Sequence, residues 1–351
     1  MLSLRIVRGP LQETENEIIL TQYNRLTNSR IPMNEFVRWI QHGPEGPAWH
    51  ALLETEDGSI VGHTSMIPLK TRQNSATMTP CKSEYSFIGE EFRASKIRGF
   101  EKSARPKFLT LVDQMIRHCA GEGWGPFLIS TTPMLHRLGP RLGCHPVEFP
   151  VWECLLILKP RDAARKTPNM NSRQRAGLFA AGVLQRGLAA ILAVLKQNSR
   201  DTERVAVGGT LTRNGSERIS FFHDQASLRW RYLEDQYFQI EVKGGEPAFV
   251  VVKRGGPDSY LRVCQYELGP ENLKLPILGA LIREAMRDGA LGVRWAFYGD
   301  TPETQRAVRQ MRKHGFLCAR RDRTLLINSA NPELLSASKW ELCDSLFSFD
   351  P

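Results

Sequence analysis

Hydrophobic and polar positions follow the same order of patterns twice along the chain. Each series starts with a helical pattern, at residues 34–41 and 226–233, and continues with two strand patterns separated by a turn. A third strand pattern, an amphipathic helix, an apolar strand, a second helix that ends near a glycine, and a last strand complete each series. The sequence therefore predicts a mixed α/β unit in duplicate.

The bounds of the predicted elements follow from these patterns and from the glycine and proline breaks between them. The first copy has predicted strands at residues 49–54, 60–67, 83–88, 127–130 and 151–158, and further helices at 107–119 and 134–142. The second copy has predicted strands at residues 239–242, 248–253, 260–267, 292–298 and 316–328, and further helices at 275–287 and 301–314. The clearest helix start places Thr301 at the N-cap and Pro302 at the first helical position.

The segment between the two copies has a different pattern. From residue 159 to residue 200, nine basic residues stand against one acid, Asp162, and residues 176–195 are apolar except for Gln185 and Arg186. This pattern predicts a helical linker. We therefore expect a first domain at residues 1–158, a basic and apolar helical linker at 159–204, a second domain at 205–330 and a C-terminal tail at 331–351.

Three interpretations of the linker helix stay open at this stage. The helix packs between the two domains, it lies on the surface of an anionic membrane, or it spans a membrane. A membrane-spanning helix is the least favourable interpretation, because inserting Arg186 near the midpoint of the helix into a bilayer costs about 2.5–3.5 kcal/mol. Peripheral contact through residues 172–197 would gain roughly 1 kcal/mol from each cation close to the membrane surface.

Composition narrows the class of protein. The chain has 351 residues, 41% of them hydrophobic, and a net charge of +10, which fits two packed domains rather than a disordered or polytopic membrane protein. Seven cysteines without a C-x-x-C pair argue against a disulfide framework and against a structural zinc site. Because the first residues lack the apolar core of a signal peptide, we expect a cytoplasmic protein, peripheral to the inner membrane if the linker helix contacts lipid. No nucleic acid partner is expected, since no stacking-aromatic pattern accompanies the basic segment.

The order of the predicted helices and strands resembles that of a known superfamily. Leu-Gly-Cys at residues 142–144 and His-Gly-Phe at residues 314–316 precede the last strand of each copy. With these motifs the order resembles the GNAT acyltransferases, in particular bacterial proteins with two tandem GNAT domains that occur among exopolysaccharide-assembly proteins. The resemblance covers residues 30–158 and 222–330. It implies two GNAT-like domains, each with a mixed, mostly antiparallel sheet flanked by helices.

The resemblance also implies a cofactor, acetyl-CoA or another acyl-CoA. GNAT proteins hold its pyrophosphate where backbone N–H groups face the anion at a helix N-terminus. Residues 85–93 match this region but lack the family's glycine pair, and residues 267–276 of the second copy hold two acids and two prolines there. The first copy is therefore the expected cofactor site, with the alternative that its cations are solvated loop charges. The candidate cofactor-binding residues are Phe87, Ile88, Arg93, Arg98, Arg105 and Lys107.

A transfer step needs a base for the acceptor and an acid for the leaving thiolate. Glu84 is the candidate base, because the resemblance places it on the strand that splays open beside the thioester. The family's usual tyrosine acid has no match, since Leu138, Gly139 and Pro140 occupy its place in the first copy. No metal site is expected, and His136, Cys144 and His145 are interpreted as packing at a helix end rather than as ligands or a nucleophile.

Three functions stay open from the sequence. The leading hypothesis is an acyl-CoA-dependent N- or O-acyltransferase acting on an amine or hydroxyl of a small molecule or of a cell-envelope polysaccharide intermediate. The second is a GNAT-fold binding or scaffold protein without catalysis, which the missing glycines favour. The third is tRNA-dependent aminoacyl transfer to a peptidoglycan precursor. The residues do not choose an acceptor, an acyl group or an oligomeric state.

Overall fold

The computed structural model describes most of the chain. The described residues are 1–69, 71–72, 79–100, 106–130, 133–166, 171–195, 202–208, 219–221, 225–233, 235–243, 248–255, 259–268 and 275–341. Three features singled out from the sequence lie outside these ranges. They are the candidate Arg105, most of the second copy's loop at residues 267–276, and the end of the tail after residue 341.

The first copy begins earlier than the sequence patterns indicate. A strand and a helix precede the first predicted helix, and the remaining elements follow in the predicted order. The elements are β1 (Ser3–Arg8), α1 (Glu13–Thr27), α2 (Met33–Gln41), β2 (Trp49–Glu54), β3 (Ile60–Pro68), β4 (Thr71–Arg72), β5 (Cys81–Ile88), α3 (Lys107–Gly121), β6 (Phe127–Ser130), α4 (Pro133–Leu138) and β7 (His145–Ile157).

The linker comes next, and the second copy, after two short strands, repeats the predicted succession of helices and strands. The linker contains α5 (Pro160–Lys166) and α6 (Ser172–Leu195). The later elements are β8 (Thr202–Val205), β9 (Ile219–Phe221), α7 (Gln225–Arg231), β10 (Tyr237–Val242), β11 (Phe249–Lys253), β12 (Leu261–Glu267), α8 (Leu275–Arg287), β13 (Gly292–Tyr298), α9 (Pro302–Lys313), β14 (Leu317–Asn328) and β15 (Trp340–Glu341). The linker helix predicted from residues 176–195 is thus confirmed as α6.

Within the described residues, twelve strands form one sheet in the order β1-β2-β3-β5-β6-β14-β7-β13-β12-β11-β10-β8. Its neighbouring strands are antiparallel, apart from the parallel pairs β5–β6 and β12–β13. The predicted fold class, a mixed and mostly antiparallel sheet with flanking helices, is confirmed. Strands β15, β9 and β4 form a separate small sheet.

The last strands of the two copies cross over between the copies. β14 lies between β6 and β7, and β7 lies between β14 and β13, so each last strand pairs with a strand of the other copy. β7 and β14 also pair with each other, from Leu155 opposite Leu317 to His145 opposite Ile327. The domain bounds at residues 158 and 205 remain a prediction, and the sheet itself runs unbroken through both copies.

β7 starts at His145 rather than at the predicted Val151. The sequence pattern does not predict a strand here, because Pro146 and Pro150 lie in this stretch and proline donates no backbone hydrogen bond. They are accommodated because β13 pairs only with residues 151–157, and the preceding residues of β7 pair with β14 alone. On the side of β7 that faces away from β14, these residues need no backbone N–H to donate to a neighbouring strand.

Helices cover both faces of the sheet and define three cores. α1, α2 and α7 pack on one face over a core that takes residues from both copies, which we call the shared core. On the other face, α3 covers the α3 core of the first copy, and α8 and α9 cover the α8–α9 core of the second. Along the part of the chain that is described, no helix is long and apolar enough to cross a membrane.

Candidate functional site

The two parallel strands of the first copy part after a short paired stretch. Cys81, Lys82 and Ser83 of β5 lie opposite residues 127–129 of β6. Among the described residues, β5 then runs on to Ile88 without further pairing to β6. The second copy repeats this arrangement, because residues 261–263 of β12 pair with residues 293–295 of β13 before the pairing stops. Each copy therefore has an opening between two parallel strands, and Glu84 is the first residue beyond the pairing in the first copy.

A bulge shapes β5 at this opening. Tyr85 has a φ of 51°, an uncommon value for a residue with a side chain, and the register with β3 shifts between His63 and Ser65. Two side chains of β3 hold the bulged backbone. The Ser65 hydroxyl donates to the Glu84 carbonyl at 2.9 Å, and His63 Nδ1 donates to the Tyr85 carbonyl at 2.8 Å.

The bulge is also tied to a second buried histidine. Since the Tyr85 carbonyl accepts from His63 Nδ1, His63 Nε2 is left as an acceptor, and His50 Nδ1 donates to it at 3.1 Å. Burial lowers the pKa of His63 to about 4, and burial together with the charges of His63 and Arg5 lowers the pKa of His50. Both rings are therefore neutral near pH 7. Both ring nitrogens of His63 therefore have hydrogen-bond partners inside the protein.

Glu84 is held by a buried lysine. Lys82 Nζ lies 2.7 Å from Glu84 Oε1, and the two side chains are 1% and 12% exposed. Lys82 stands opposite Ile67 of the shared core, so it and Glu84, two residues along the strand, face the side covered by α1 and α2. Because an ammonium this deeply buried needs a close counterion, the pair fixes the Glu84 carboxylate at the mouth of the opening.

Tyr85 lies beside this ion pair in an aromatic setting. Its ring contacts Tyr23 and Phe36 edge to face, with centroid distances of 5.2 and 4.8 Å. Its hydroxyl is buried and has no hydrogen-bond partner among the described residues. Burial, with the charges of Glu84 and Glu35, raises the pKa of Tyr85 well above its usual value, so the phenol keeps its proton.

Hydroxyl groups line the opposite face of the same opening. Thr64 Oγ1 lies 2.6 Å from Ser86 Oγ and 3.3 Å from Ser83 Oγ, and the two serines are 3.3 Å apart. Thr64 stands opposite Ala51 of the α3 core, which places this cluster on the α3 side. The opening therefore has a carboxylate on one face and a group of hydroxyls on the other.

The second copy contributes to the carboxylate face. Arg231 of α7 stacks over the Trp39 ring with Cζ 3.8 Å from its centroid, and Trp230 Nε1 donates to the Arg38 carbonyl at 3.0 Å. The charge of Arg231 acts on Tyr85 and on the buried Glu35, whose pKa is raised by burial. Side chains of both copies thus surround the region beneath α2.

The candidate cofactor residues lie at different depths. Phe87 is buried in the shared core and Ile88 in the α3 core, so their backbones, rather than their side chains, line the end of β5. Lys107 is half-buried and begins α3 directly after Pro106, an N-cap residue whose side chain makes no capping hydrogen bond. Arg105 lies outside the described residues.

The two loop arginines are exposed and stand apart. Arg93 contacts Glu90 at 3.5 Å. The backbone N–H of Arg98 donates to the Leu2 carbonyl at 2.8 Å, next to the bridge between Leu2 and Ile97. This places Arg98 by the start of β1, three strand spacings from β5, or about 14 Å across the sheet. A cluster of all four cations around one phosphate remains a prediction.

Other chemistry-bearing side chains have structural surroundings. Among the described residues, no group of three or more histidine, cysteine or carboxylate side chains could hold a metal ion. Cys144 is buried, and burial raises its thiol pKa to about 12, which keeps it from acting as a nucleophile near pH 7. His145 is exposed at the start of β7. These facts favour the packing interpretation of the cluster.

Glu84 remains a predicted base, and the groups that hold its carboxylate and backbone were not predicted from the sequence. Lys82 and Glu84 stand two residues apart on a strand, and this alternation could have indicated that they share a face. The bulge at Tyr85 and the hydroxyl cluster depend on the register between β3 and β5. The sequence of β5 alone does not contain that register.

Comparisons with known proteins address the fold. No protein-family model matches the chain, and no curated protein matches it. A probable N-acyltransferase structure from Enterococcus faecalis V583 has a TM-score of 0.54 at 10% identity and covers 93% of this chain and 72% of its own. A GCN5-related N-acetyltransferase from Anabaena variabilis ATCC 29413 has a TM-score of 0.51 at 8% identity, with coverages of 92% and 72%. At these identities the likeness concerns architecture, and the chain shares the fold of solved GCN5-related N-acetyltransferases over most of its length.

Proposed function

We propose that the protein is an acyl-CoA-dependent N- or O-acyltransferase with its reaction site at the opening between β5 and β6. The observation that carries this proposal is the Glu84 carboxylate, fixed by buried Lys82 at the point where the two parallel strands part. A carboxylate in this position can take the proton of an attacking amine or hydroxyl. The acceptor is an amine or hydroxyl of a small molecule or of a cell-envelope polysaccharide intermediate.

The first copy provides features that suit an acyl-CoA. At the start of α3 the N-cap Pro106 makes no capping hydrogen bond, the first turn holds no acid, and Lys107 is the first residue, so the N–H groups there can face a phosphate. The exposed Arg93 and Arg98, together with Arg105, add positive charge along the loop that leads to α3. Phe87 and Ile88 offer backbone groups at the end of β5. When bound, acyl-CoA supplies the activated acyl thioester.

The residues on the two faces of the opening would have different roles in the reaction. Glu84 accepts the proton of the acceptor, and Lys82 holds the carboxylate in place. Thr64, Ser83 and Ser86 present hydroxyl donors on the α3 side, where a family tyrosine has no counterpart in this chain. Glu35 and Arg231 lie on the Glu84 side, so we propose that the second copy shapes the acceptor site while the first holds the cofactor.

The experiment that tests this proposal compares Glu84→Gln with Glu148→Gln, an exposed glutamate on β7. Acyl transfer from acetyl-CoA and longer acyl-CoAs to a panel of amines and hydroxyl compounds is measured as free thiol release. Glu84→Gln should lower kcat by about 10²–10⁴. Its acyl-CoA affinity by calorimetry should stay unchanged, and Glu148→Gln should behave as the unmodified chain. Full turnover in Glu84→Gln would remove this residue from the mechanism.

Calorimetry also separates the catalytic proposal from a non-catalytic binding protein, which the missing glycine pair after β5 favours. Binding of acyl-CoA that weakens in Arg93→Ala and Arg105→Ala would support a cofactor site on the first copy. If no CoA thioester binds the unmodified chain, the scaffold function takes precedence.

A further inference from the structure

Helix α6 directs the side chain of Gln185 towards the rest of the protein. Gln185 Oε1 accepts the Ile157 backbone N–H at 2.9 Å, and Gln185 Nε2 donates to the Leu155 carbonyl at 3.3 Å. These groups lie near the end of β7, where the pairing with β14 has stopped at Leu155. Gly182 faces the same way, since a Cβ there would lie 2.6 Å from Pro160 Cβ. The contacts of α6 with β7 and with Pro160 of α5 therefore include a glutamine and a glycine.

From Ala176 to Leu184, the outward side of α6 is apolar. Phe179, Val183 and Leu184 are 44%, 50% and 72% exposed, and they are three of the seven large hydrophobic side chains exposed among the described residues. At about 100° per residue these three positions span roughly 140° of one helix face. Ala176 and Ala180 lie within the same sector and are also exposed. Between residues 176 and 185 this arrangement is the reverse of an ordinary surface helix, which shows its polar face to water.

Cations flank this apolar face at its N-terminal end. Arg161, Arg165 and Lys166 on α5 are exposed, as are Arg173 and Arg175 in the first turn of α6. The one acid between residues 159 and 185 is Asp162, which is half-buried. An exposed apolar strip beside five exposed cations matches the two attractions that hold a protein on an anionic bilayer, apolar insertion and charge.

We infer that α5 and α6 form a docking surface for an anionic phospholipid bilayer. The axis of α6 lies in the plane of the membrane, with Phe179, Val183 and Leu184 at the boundary between headgroups and acyl chains. The five cations contact lipid phosphates beside it. The charge of this surface favours lipid over an apolar protein partner, which gains nothing from five neighbouring cations. The inference stands independently of the acyl transfer proposed above.

The test is binding of the full chain to sedimented vesicles. Vesicles of phosphatidylcholine mixed with phosphatidylglycerol are compared with vesicles of phosphatidylcholine alone, at low and high salt. The protein should bind the anionic vesicles, and salt should weaken this binding by screening the charge attraction. Loss of one cation near the surface should lower the partition coefficient by about fivefold, so Arg173→Gln with Arg175→Gln should lower it by more than tenfold.

A matched pair of variants tests the apolar face. Phe179→Gln with Leu184→Gln should lower binding to anionic vesicles at least tenfold. Met286→Gln, which replaces a side chain on α8 that is also 44% exposed, should leave binding unchanged. Far-UV circular dichroism and urea unfolding confirm that each variant folds. Equal binding by all variants, or no binding to anionic vesicles, would overturn the inference. So would a dimer in light scattering that Leu184→Gln dissociates, because the face would then be a contact between copies.

Discussion

At the scale of single residues, the neutral His50–His63 pair makes the candidate site sensitive to acid. Both rings are buried, and His63 holds the bulged Tyr85 carbonyl beside Glu84. Protonating His63 removes the acceptor that His50 Nδ1 uses and places a charge in an apolar interior. Loss of this pair would release the bulge that positions Glu84.

The pH dependence of stability should report this pair. The folded-state pKa of His63 is about 4, against an ordinary value of 6.5, so the unfolded chain binds more protons between these values. The contribution is fully present above pH 6.5 and is lost as the pH falls towards 4. From pH 7 to pH 5, His63 alone should reduce the free energy of unfolding by about 2 kcal/mol. Urea unfolding at closely spaced pH values measures this loss.

The control for this prediction is the exposed His145. His63→Gln should weaken the dependence between pH 7 and pH 5 and leave the part that His50 contributes, whatever its effect on absolute stability, and His145→Gln should keep the original slope. An unchanged slope in His63→Gln would show that another group takes up the proton.

At the scale of elements, α6 contains two glycines with opposite surroundings. At Gly177 a Cβ would meet no atom within 4 Å, so Gly177→Ala should stabilise the protein by about 1 kcal/mol through helix propensity. At Gly182 a Cβ would lie 2.6 Å from Pro160 Cβ and 2.9 Å from Ile157 Cγ2, and α6 must shift to accept it. Gly182→Ala should therefore destabilise by roughly 1–3 kcal/mol.

Urea unfolding of the two variants at one pH gives the comparison. Both variants replace glycine by alanine in the same helix, so the gain in helix propensity is the same in each. The opposite signs of their changes in unfolding free energy therefore report how closely α6 packs on Pro160 and Ile157. Equal stabilisation by both variants would mean that α6 does not lie against β7 in solution.

The elements that the sequence predicts best are those whose pattern is local. Thr301 does accept from the Thr304 backbone N–H at the start of α9, as its N-cap position indicates. β1 and α1 are absent from the sequence prediction. In α1 the apolar residues are weakly periodic, since of the adjacent Ile18 and Ile19 the first is exposed and the second is buried. For α6, the sequence reveals an apolar helix, but the side that faces water depends on contacts with β7.

At the scale of the whole molecule, the exchange of the last strands was beyond sequence reasoning. The sequences of β7 and β14 would also suit a strand at the end of its own copy. The local pattern of apolar and polar residues is the same whether such a strand pairs within its own copy or with the other copy. Only the long-range pairing decides, since β14 stands between β6 and β7, and those two strands do not pair with each other. The position of Glu84 on β5 could be predicted because it depends on the order of elements within one copy.

The strand exchange makes the two copies depend on each other for folding. Without β14, the first copy leaves β6 and β7 each with an open edge, and without β7, β13 and β14 lose their common neighbour. Unpaired edges next to apolar strands favour aggregation. We therefore expect residues 1–166 and residues 171–351, expressed separately, to be insoluble or unfolded, and the two pieces expressed together to form a stable complex.

Affinity purification through a tag on one piece, followed by thermal unfolding of the complex, measures this dependence. The complex should unfold in one transition, because the central strand pair belongs to both copies. An intact chain cut by a protease at a site inserted between residues 166 and 171 serves as the control that a chain break itself is tolerated. A first piece that is soluble, monomeric and cooperatively folded alone would contradict the exchange, since β6 and β7 would then have found another pairing.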